Sequence, residues 1–206
     1  MPGPLSMQNV TNRVFEDVVV AKGETVEKEV DFTTGKVSVL TTRNGALSDT
    51  VVTVKTPAGK RVAGSRTYRR EQTNPRTLEV PPGTYDVEVG SVEIHDKPEH
   101  VWKNVVVEPG ETTELEHDFP SGELKIGAMR GGALWDAAVN IIATDATRNR
   151  VAGRTYVSEK TNPKTYQLTP GTYQATLKGL KIEGNPQRVI EVEVKQGESV
   201  TRTAEF

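Results

Sequence analysis

The chain has 206 residues, with 26 Lys and Arg against 28 Asp and Glu, a formal net charge of -2. Such a balance argues against a protein built to hold nucleic acid, which usually carries a basic excess, and the length accommodates one large domain or two small ones. Cysteine is absent, which excludes disulfides, a thiolate metal site and a Cys nucleophile; no apolar run approaches the roughly 20 residues of a membrane-spanning helix, so no membrane insertion is expected.

In chain order, residues 1–13 come first. They have neither the basic start nor the apolar core of a signal peptide, and they read as a disordered leader or an expression scar. After them the dominant signal is internal repetition. Lys22-Gly23-Glu24-Thr25 recurs as Pro109-Gly110-Glu111-Thr112 and as Gln196-Gly197-Glu198-Ser199, with successive glycines 87 positions apart. Phe32, Phe119 and Phe206 keep the same spacing. The body between these segments occurs twice: Asn44-Gly45-Ala46-Leu47 faces Gly131-Gly132-Ala133-Leu134, Arg66-Thr67-Tyr68 faces Arg154-Thr155-Tyr156, and Thr73-Asn74-Pro75 faces Thr161-Asn162-Pro163. The closing segment occurs three times, at 14–32, 101–119 and 189–206, and the first copy has no body before it.

Within each segment the apolar period is two. Val18 and Val20, Val105 and Val107, and Val192 and Val194 alternate with more polar or solvent-side positions, as do Lys36-Val37-Ser38-Val39 and Tyr85-Asp86-Val87-Glu88-Val89. Alternation of this kind puts one face of a strand in a core and the other in water. Pro81-Pro82-Gly83 and Thr169-Pro170-Gly171 mark turns, because Pro presets φ and Gly accepts positive φ. The nearest helical candidate, Ala133–Val139, aligns with a copy that reads as turn plus strand. The expected fold is all-β: two tandem Ig-like or prealbumin-like antiparallel β-sandwich domains at 33–119 and 120–206, with an extra N-terminal β-hairpin at 14–32 and a three-residue joint that limits interdomain swing.

The string Leu78-Glu79-Val80-Pro81-Pro82-Gly83-Thr84-Tyr85-Asp86-Val87-Glu88-Val89, with its copy Tyr166-Gln167-Leu168-Thr169-Pro170-Gly171-Thr172-Tyr173-Gln174-Ala175-Thr176-Leu177, followed by a valine-rich hairpin, resembles the carboxypeptidase-regulatory-like and PEGA-type β-sandwich modules. The whole repeat is similar to those attached to von Willebrand A-type domains in bacterial surface proteins. The resemblance covers nearly the whole chain after residue 13. It implies a non-catalytic, usually extracytoplasmic spacer, adhesive or binding unit, and it brings no catalytic residues.

The residues agree with a chain that is not an enzyme. No nucleophile-elbow pattern surrounds any Ser, and no Gly-rich loop opens a helix. His95, Asp96 and His100 have the residue types of a metal site, but the second copy holds Glu183, Gly184 and Arg188 there, so exposed loop positions are expected and no metal or cofactor. Asp49 and Asp136 read as turn-capping carboxylates. Tyr68 and Tyr156 are expected to pack in the sandwiches with bonded hydroxyls. Trp102 aligns with Phe15 and Ile190 and reads as core, whereas Trp135 replaces Ser48 and is special to the second copy. Trp135, with its neighbours Arg130 and Asp136, is therefore the expected ligand-binding set, if one exists.

Taken together, the residues point to a spacer or protein-interaction unit of a larger bacterial assembly outside the cytoplasm (extracellular, cell-surface or periplasmic), whose partners are other proteins or further repeats of its own chain. Two alternatives stay open: a carbohydrate-binding module built on Trp135, and a homo-oligomer that polymerises by β-strand addition through 14–32. That hairpin packs either in trans or in cis against the first domain.

Overall fold

A computed structural model of the chain describes residues 14–29 and 32–206; the leader expected at 1–13 lies outside them. The described residues form strands and turns without a helix, so none forms a helix long and apolar enough to cross a membrane.

The first sandwich contains β1 (Gly35–Arg43), β2 (Ala46–Leu47), β3 (Thr50–Lys55), β4 (Arg61–Arg66), β5 (Arg76–Val80), β6 (Gly83–Ser91), β7 (Glu99–Val107) and β8 (Thr112–Phe119). One sheet runs β4-β3-β6-β7; the other has β1 at its centre, with β5 and β2 along one edge and β8 along the other. The second sandwich repeats this with β9 (Gly122–Arg130), β10 (Ala133–Leu134), β11 (Ala137–Ala143), β12 (Arg150–Thr155), β13 (Lys164–Leu168), β14 (Gly171–Gly179), β15 (Gln187–Val194) and β16 (Ser199–Glu205). Its sheets are β12-β11-β14-β15 and a second one centred on β9. The stretch that carried the helical candidate is β10 and the start of β11.

The period of two is what fills the cores. Val37 and Val39 of β1, Val52 and Val54 of β3, and Val87 and Val89 of β6 all point inward and are buried together with Val80, Val107 and Phe119. Leu124, Ile126, Val139, Ile141, Leu168, Ala175 and Leu177 form the separate core of the second sandwich. Each fully buried Val, Leu or Ile contributes about 1.5–3 kcal/mol relative to exposure.

The expected all-antiparallel arrangement needs one correction. The closing hairpin straddles both sheets: β7 adds antiparallel to β6, but β8 runs parallel to β1, from Lys36 beside Thr112 to Arg43 beside Phe119. β16 lies parallel to β9 in the same way. A parallel neighbour requires a long crossover, and the intervening strands of the body supply it. Gly35 and Gly122 open the central strands under the hairpin. A Cβ on Gly35 would overlap the Glu108 carbonyl and the Val107 side chain, and one on Gly122 would overlap the Lys195 carbonyl. The hairpin therefore closes on bare backbone at this point.

The hairpin expected at 14–32 also needs correction. Its turn is present, with Glu24 N–H donating to the Ala21 carbonyl at 3.0 Å. Residues 14–29 form no strand, and all of them are exposed. Val30 and Asp31 lie outside the described residues.

Candidate functional site

The most faithfully duplicated polar strings are structural in both copies. The side chain of Asn74 stands where β5 stops short of pairing with Thr41. It accepts from the Thr41 N–H (3.0 Å) and donates to the carbonyls of Thr41 (2.7 Å) and Ser48 (3.1 Å). Asn162 does the same with the N–H and carbonyl of Ala128 and the Trp135 carbonyl. Each amide thus acts as one more strand residue, and each precedes a cis proline, at Asn74-Pro75 and Asn162-Pro163.

The Arg-Thr-Tyr strings resolve into three separate tasks. Arg66 makes a two-pronged bond to Asp49 (2.5 and 2.7 Å), and Arg154 makes the equivalent one to Asp136 (3.0 and 2.6 Å). The two aspartates are thus guanidinium partners, where turn caps were expected. The Arg154 hydrogen bonds hold the Asp136 carboxyl below the usual carboxylate range. Thr67 and Thr155 are fully buried, with bonded hydroxyls. Tyr68 and Tyr156 do not pack in the sandwiches: they are 46% and 47% exposed, each lying under its own arginine at 5.4 and 4.9 Å. A tyrosine stacked on a surface guanidinium needs no burial to be held in place.

The three expected ligand residues are neighbours at the loop end of the second sandwich. Arg130 is exposed and stacks on the Trp135 ring at 5.0 Å. Trp135 is half-buried, and its indole N–H donates to the Leu180 carbonyl at 2.8 Å. Asp136 is buried and committed to Arg154, with the Lys181 ammonium 3.9 Å away. One indole face is therefore covered by Arg130 and the ring N–H is used internally. Asp136 braces Arg154, which in turn carries Tyr156.

Among the histidines, His100 departs from expectation. His100 lies in β7, not in a loop, and its ring stacks on that of His117 with centroids 4.1 Å apart. Trp102 meets His100 edge-on at 4.6 Å, and Phe119 meets His117 edge-on at 4.4 Å. Burial, and then the neighbouring His100, push the His117 imidazole below its ordinary pKa. Among the described residues, no three His, Asp or Glu side chains converge as metal ligands.

His95 and Asp96 instead lie in the β6–β7 loop and dock onto the second sandwich. His95 N–H donates to the Gln167 carbonyl at 2.8 Å, and its Nδ1 stands 3.0 Å from Gln167 N. The Asp96 carboxylate is buried and accepts from Thr169 N–H at 3.1 Å and from the Thr169 hydroxyl. The Tyr173 hydroxyl lies 3.2 Å from Asp96 and 2.7 Å from the Thr169 carbonyl. A second clasp grips the connecting segment: Asn44 accepts from Ser121 N–H (2.9 Å) and donates to the Ser121 carbonyl (2.8 Å). Beside the joint is a cleft of about 280 Å³ bordered by Asp96, Asp145 and Tyr173. Sequence reasoning expected a short joint but missed these contacts across it. Their available signal was that His95-Asp96 and Thr169 break the repeat, facing Glu183-Gly184 and Pro81 in the other copy.

No family model and no curated protein matches the chain. Solved structures do. A candidate adhesin of Bacteroides ovatus is 9% identical with a TM-score of 0.46, covering 89% of this chain and 98% of its own. A minor pilin of Streptococcus agalactiae is 10% identical with a TM-score of 0.42, covering 83% and 94%. The TIE protein of Bacillus anthracis is 19% identical with a TM-score of 0.34; 84% of this chain aligns, spanning 34% of that one. At these identities the likeness is one of β-sandwich architecture alone.

Proposed function

We propose that the chain is a non-catalytic spacer and protein-interaction module, two sandwiches over 33–119 and 120–206 held at a fixed angle within a larger extracytoplasmic assembly. The observation that carries this reading is the joint. Asp96 of one sandwich is buried against donors of the other, and a charge-assisted bond of this kind is about twice as strong as a neutral one. With the Asn44 clasp on the connection it supports a stiff rod. The sequence resemblance to surface-protein repeats supports the setting outside the cytoplasm.

The test is the distribution of distances between spin labels placed one on each sandwich. The intact chain is expected to give a single narrow distribution, and the Asp96→Ala, Asn44→Ala double variant a broad one. A broad distribution in the intact chain would end the spacer reading.

A second reading, a carbohydrate or other ligand site on the far end of the second sandwich, is favoured by the exposed Arg130 stacked on Trp135 and by the exposed Tyr156, which follows the Thr155 bonded to the Trp135 carbonyl. Glycan-array screening with Trp135→Ala as control tests it: binding is expected to vanish in the variant. A ligand indifferent to that substitution, or no ligand at all, removes the reading.

A further inference from the structure

Asn44 holds the joint with a side-chain amide that the next residue can displace. We infer that it is a self-modification site: the Gly45 nitrogen closes a succinimide ring on Asn44, water opens the ring to isoaspartate or aspartate, and the clasp on Ser121 is lost.

The sequence supplies the chemistry. Of the nine asparagines in the chain, Asn44 alone precedes a glycine. Ring closure needs the nitrogen of the following residue to reach the side-chain carbonyl carbon, and a glycine, having no Cβ, leaves that nitrogen unshielded. Asn74, Asn162 and Asn185 precede prolines, which have no N–H to give up. The remaining asparagines precede Val, Ile or Arg, whose side chains crowd the approach.

Asn44 and Gly45 form the exposed turn between β1 and β2, at φ 50° and 78°. Gly45 N–H donates to Asp118 Oδ1 at 2.9 Å, so this carboxylate is placed to carry its proton. The Gly45 nitrogen bonds to Cγ of Asn44, the Cγ–Nδ2 bond breaks, and Nδ2 leaves as ammonia with the proton from Gly45. Water then adds to either carbonyl of the ring. Opening at the former main-chain carbonyl gives isoaspartate, with the chain rerouted through the old side chain; opening at the other gives aspartate. Amide and water are consumed, and carboxylate and ammonium are formed.

The reacting atoms are those that grip the joint. Asn44 Oδ1 accepts from Ser121 N–H at 2.9 Å, and Nδ2 donates to the Ser121 carbonyl at 2.8 Å and to its hydroxyl oxygen at 3.3 Å. Ser121 is buried, and its carbonyl also accepts from Gly197 N–H, in the closing turn of the second sandwich, at 2.9 Å. Attack makes Cγ tetrahedral, and a tetrahedral centre does not keep the planar fork that Ser121 receives. Clasp and ring are therefore exclusive: the clasp protects Asn44, and each opening of the joint exposes it. Isoaspartate has no such fork, and aspartate sets a carboxylate against the Ser121 carbonyl and close to Asp118. Loss of ammonia is irreversible, so a transient opening becomes a lasting one. The second sandwich has Gly131 at this position, which confines the event to the joint.

The loosening rests on the stiff-joint reading; the conversion does not. The full-length chain, with one spin label on each sandwich, is aged in mildly alkaline buffer made with heavy-oxygen water. Peptide mass spectrometry reads the labelled oxygen taken up at Asn44, and anion exchange separates the converted chain by its added negative charge. Conversion is expected in the folded chain, several-fold faster in Asp96→Ala, where the other tie across the joint is cut. It is expected to be absent in Asn44→Gln, whose longer side chain must close a larger, slower-forming ring. The separated converted chain should give a broad distance distribution where the fresh chain gives a narrow one. Asn44 still intact in both the folded chain and Asp96→Ala, once the urea-unfolded chain has converted fully, overturns the proposal. So does a rate unchanged by Asp96→Ala, a converted chain as narrow as the fresh one, or the same broadening on ageing Asn44→Gln. A fresh chain that is already broad ends the spacer reading instead, and the masses alone then decide the conversion.

Discussion

The two sandwiches share one backbone plan and differ in what they place at the same interior points. In the first, Thr41, Thr50 and Thr67 are fully buried with their hydroxyl oxygens 2.9–3.0 Å from one another. In the second, Ala128, Ala137 and Thr155 take these places, and Trp135 replaces Ser48 nearby. At the closing edge the first has His100, His117 and a fully buried Phe119, the second Arg188, Ala204 and a half-buried Phe206. The plan is fixed by period, turns and the Asn amide, and the interior chemistry is free to vary wherever each polar group finds a partner.

Several substitutions would break or sharpen that comparison. The largest effect should be common to both sandwiches. Asn74→Ala leaves the buried Thr41 N–H unpaired and removes one of two donors from each of the Thr41 and Ser48 carbonyls, which keep the Ser48 N–H and the Thr67 hydroxyl; Asn162→Ala does the same to Ala128 and Trp135 in the second sandwich, each at a cost of about 3–5 kcal/mol. Residue-resolved hydrogen exchange should show the loss confined to the altered sandwich; a small loss in either would mean that the amide is not a shared structural element.

The next effect should separate them. Thr67→Val removes bonds to Thr41, Thr50 and the Ser48 carbonyl and should cost about 2–3 kcal/mol. Thr155→Val removes only those to Ala137 and Trp135 and should cost about 1 kcal/mol. Equal costs by denaturant titration would deny that the hydroxyls act as a network.

Acid should also discriminate. The folded first sandwich holds the His117 pKa below its ordinary 6.5, through burial and the proximity of His100, with Asp118 opposing. The unfolded chain therefore binds the proton more readily, and stability contributed by neutral His117 falls as pH drops below about 6.5, levelling off below the folded pKa. The second sandwich, with Ala204 in place of His117, should lack this loss. His117→Ala is expected to abolish it in the first, measured as melting temperature between pH 7 and pH 5. A loss that survives the substitution would place the proton elsewhere.

The smallest effect concerns Tyr166. It is fully buried where the first sandwich has Leu78, its hydroxyl has no hydrogen-bond partner, and burial pushes its pKa up to about 12. Tyr166→Phe should be neutral or stabilising by up to about 1 kcal/mol. Destabilisation would mean that the hydroxyl is satisfied.

Sequence alone determined the period of two, the 87-residue spacing of the closing glycines, the Pro-Gly turns and the identity of most core valines. These are local or periodic properties, set by backbone sterics and by which face a residue occupies. It also marked residues that depart from the repeat, Trp135 and His95-Asp96 among them, without saying what they touch. Tertiary structure decided that Tyr68 and Tyr156 lie on the surface under arginines, that His100 meets His117, and that β8 runs parallel to β1. It decided too that Asp96 faces Thr169, 73 residues away. Contacts of that kind depend on where a loop lands after two sheets have closed, and nothing in the spacing of residues along the chain encodes that distance.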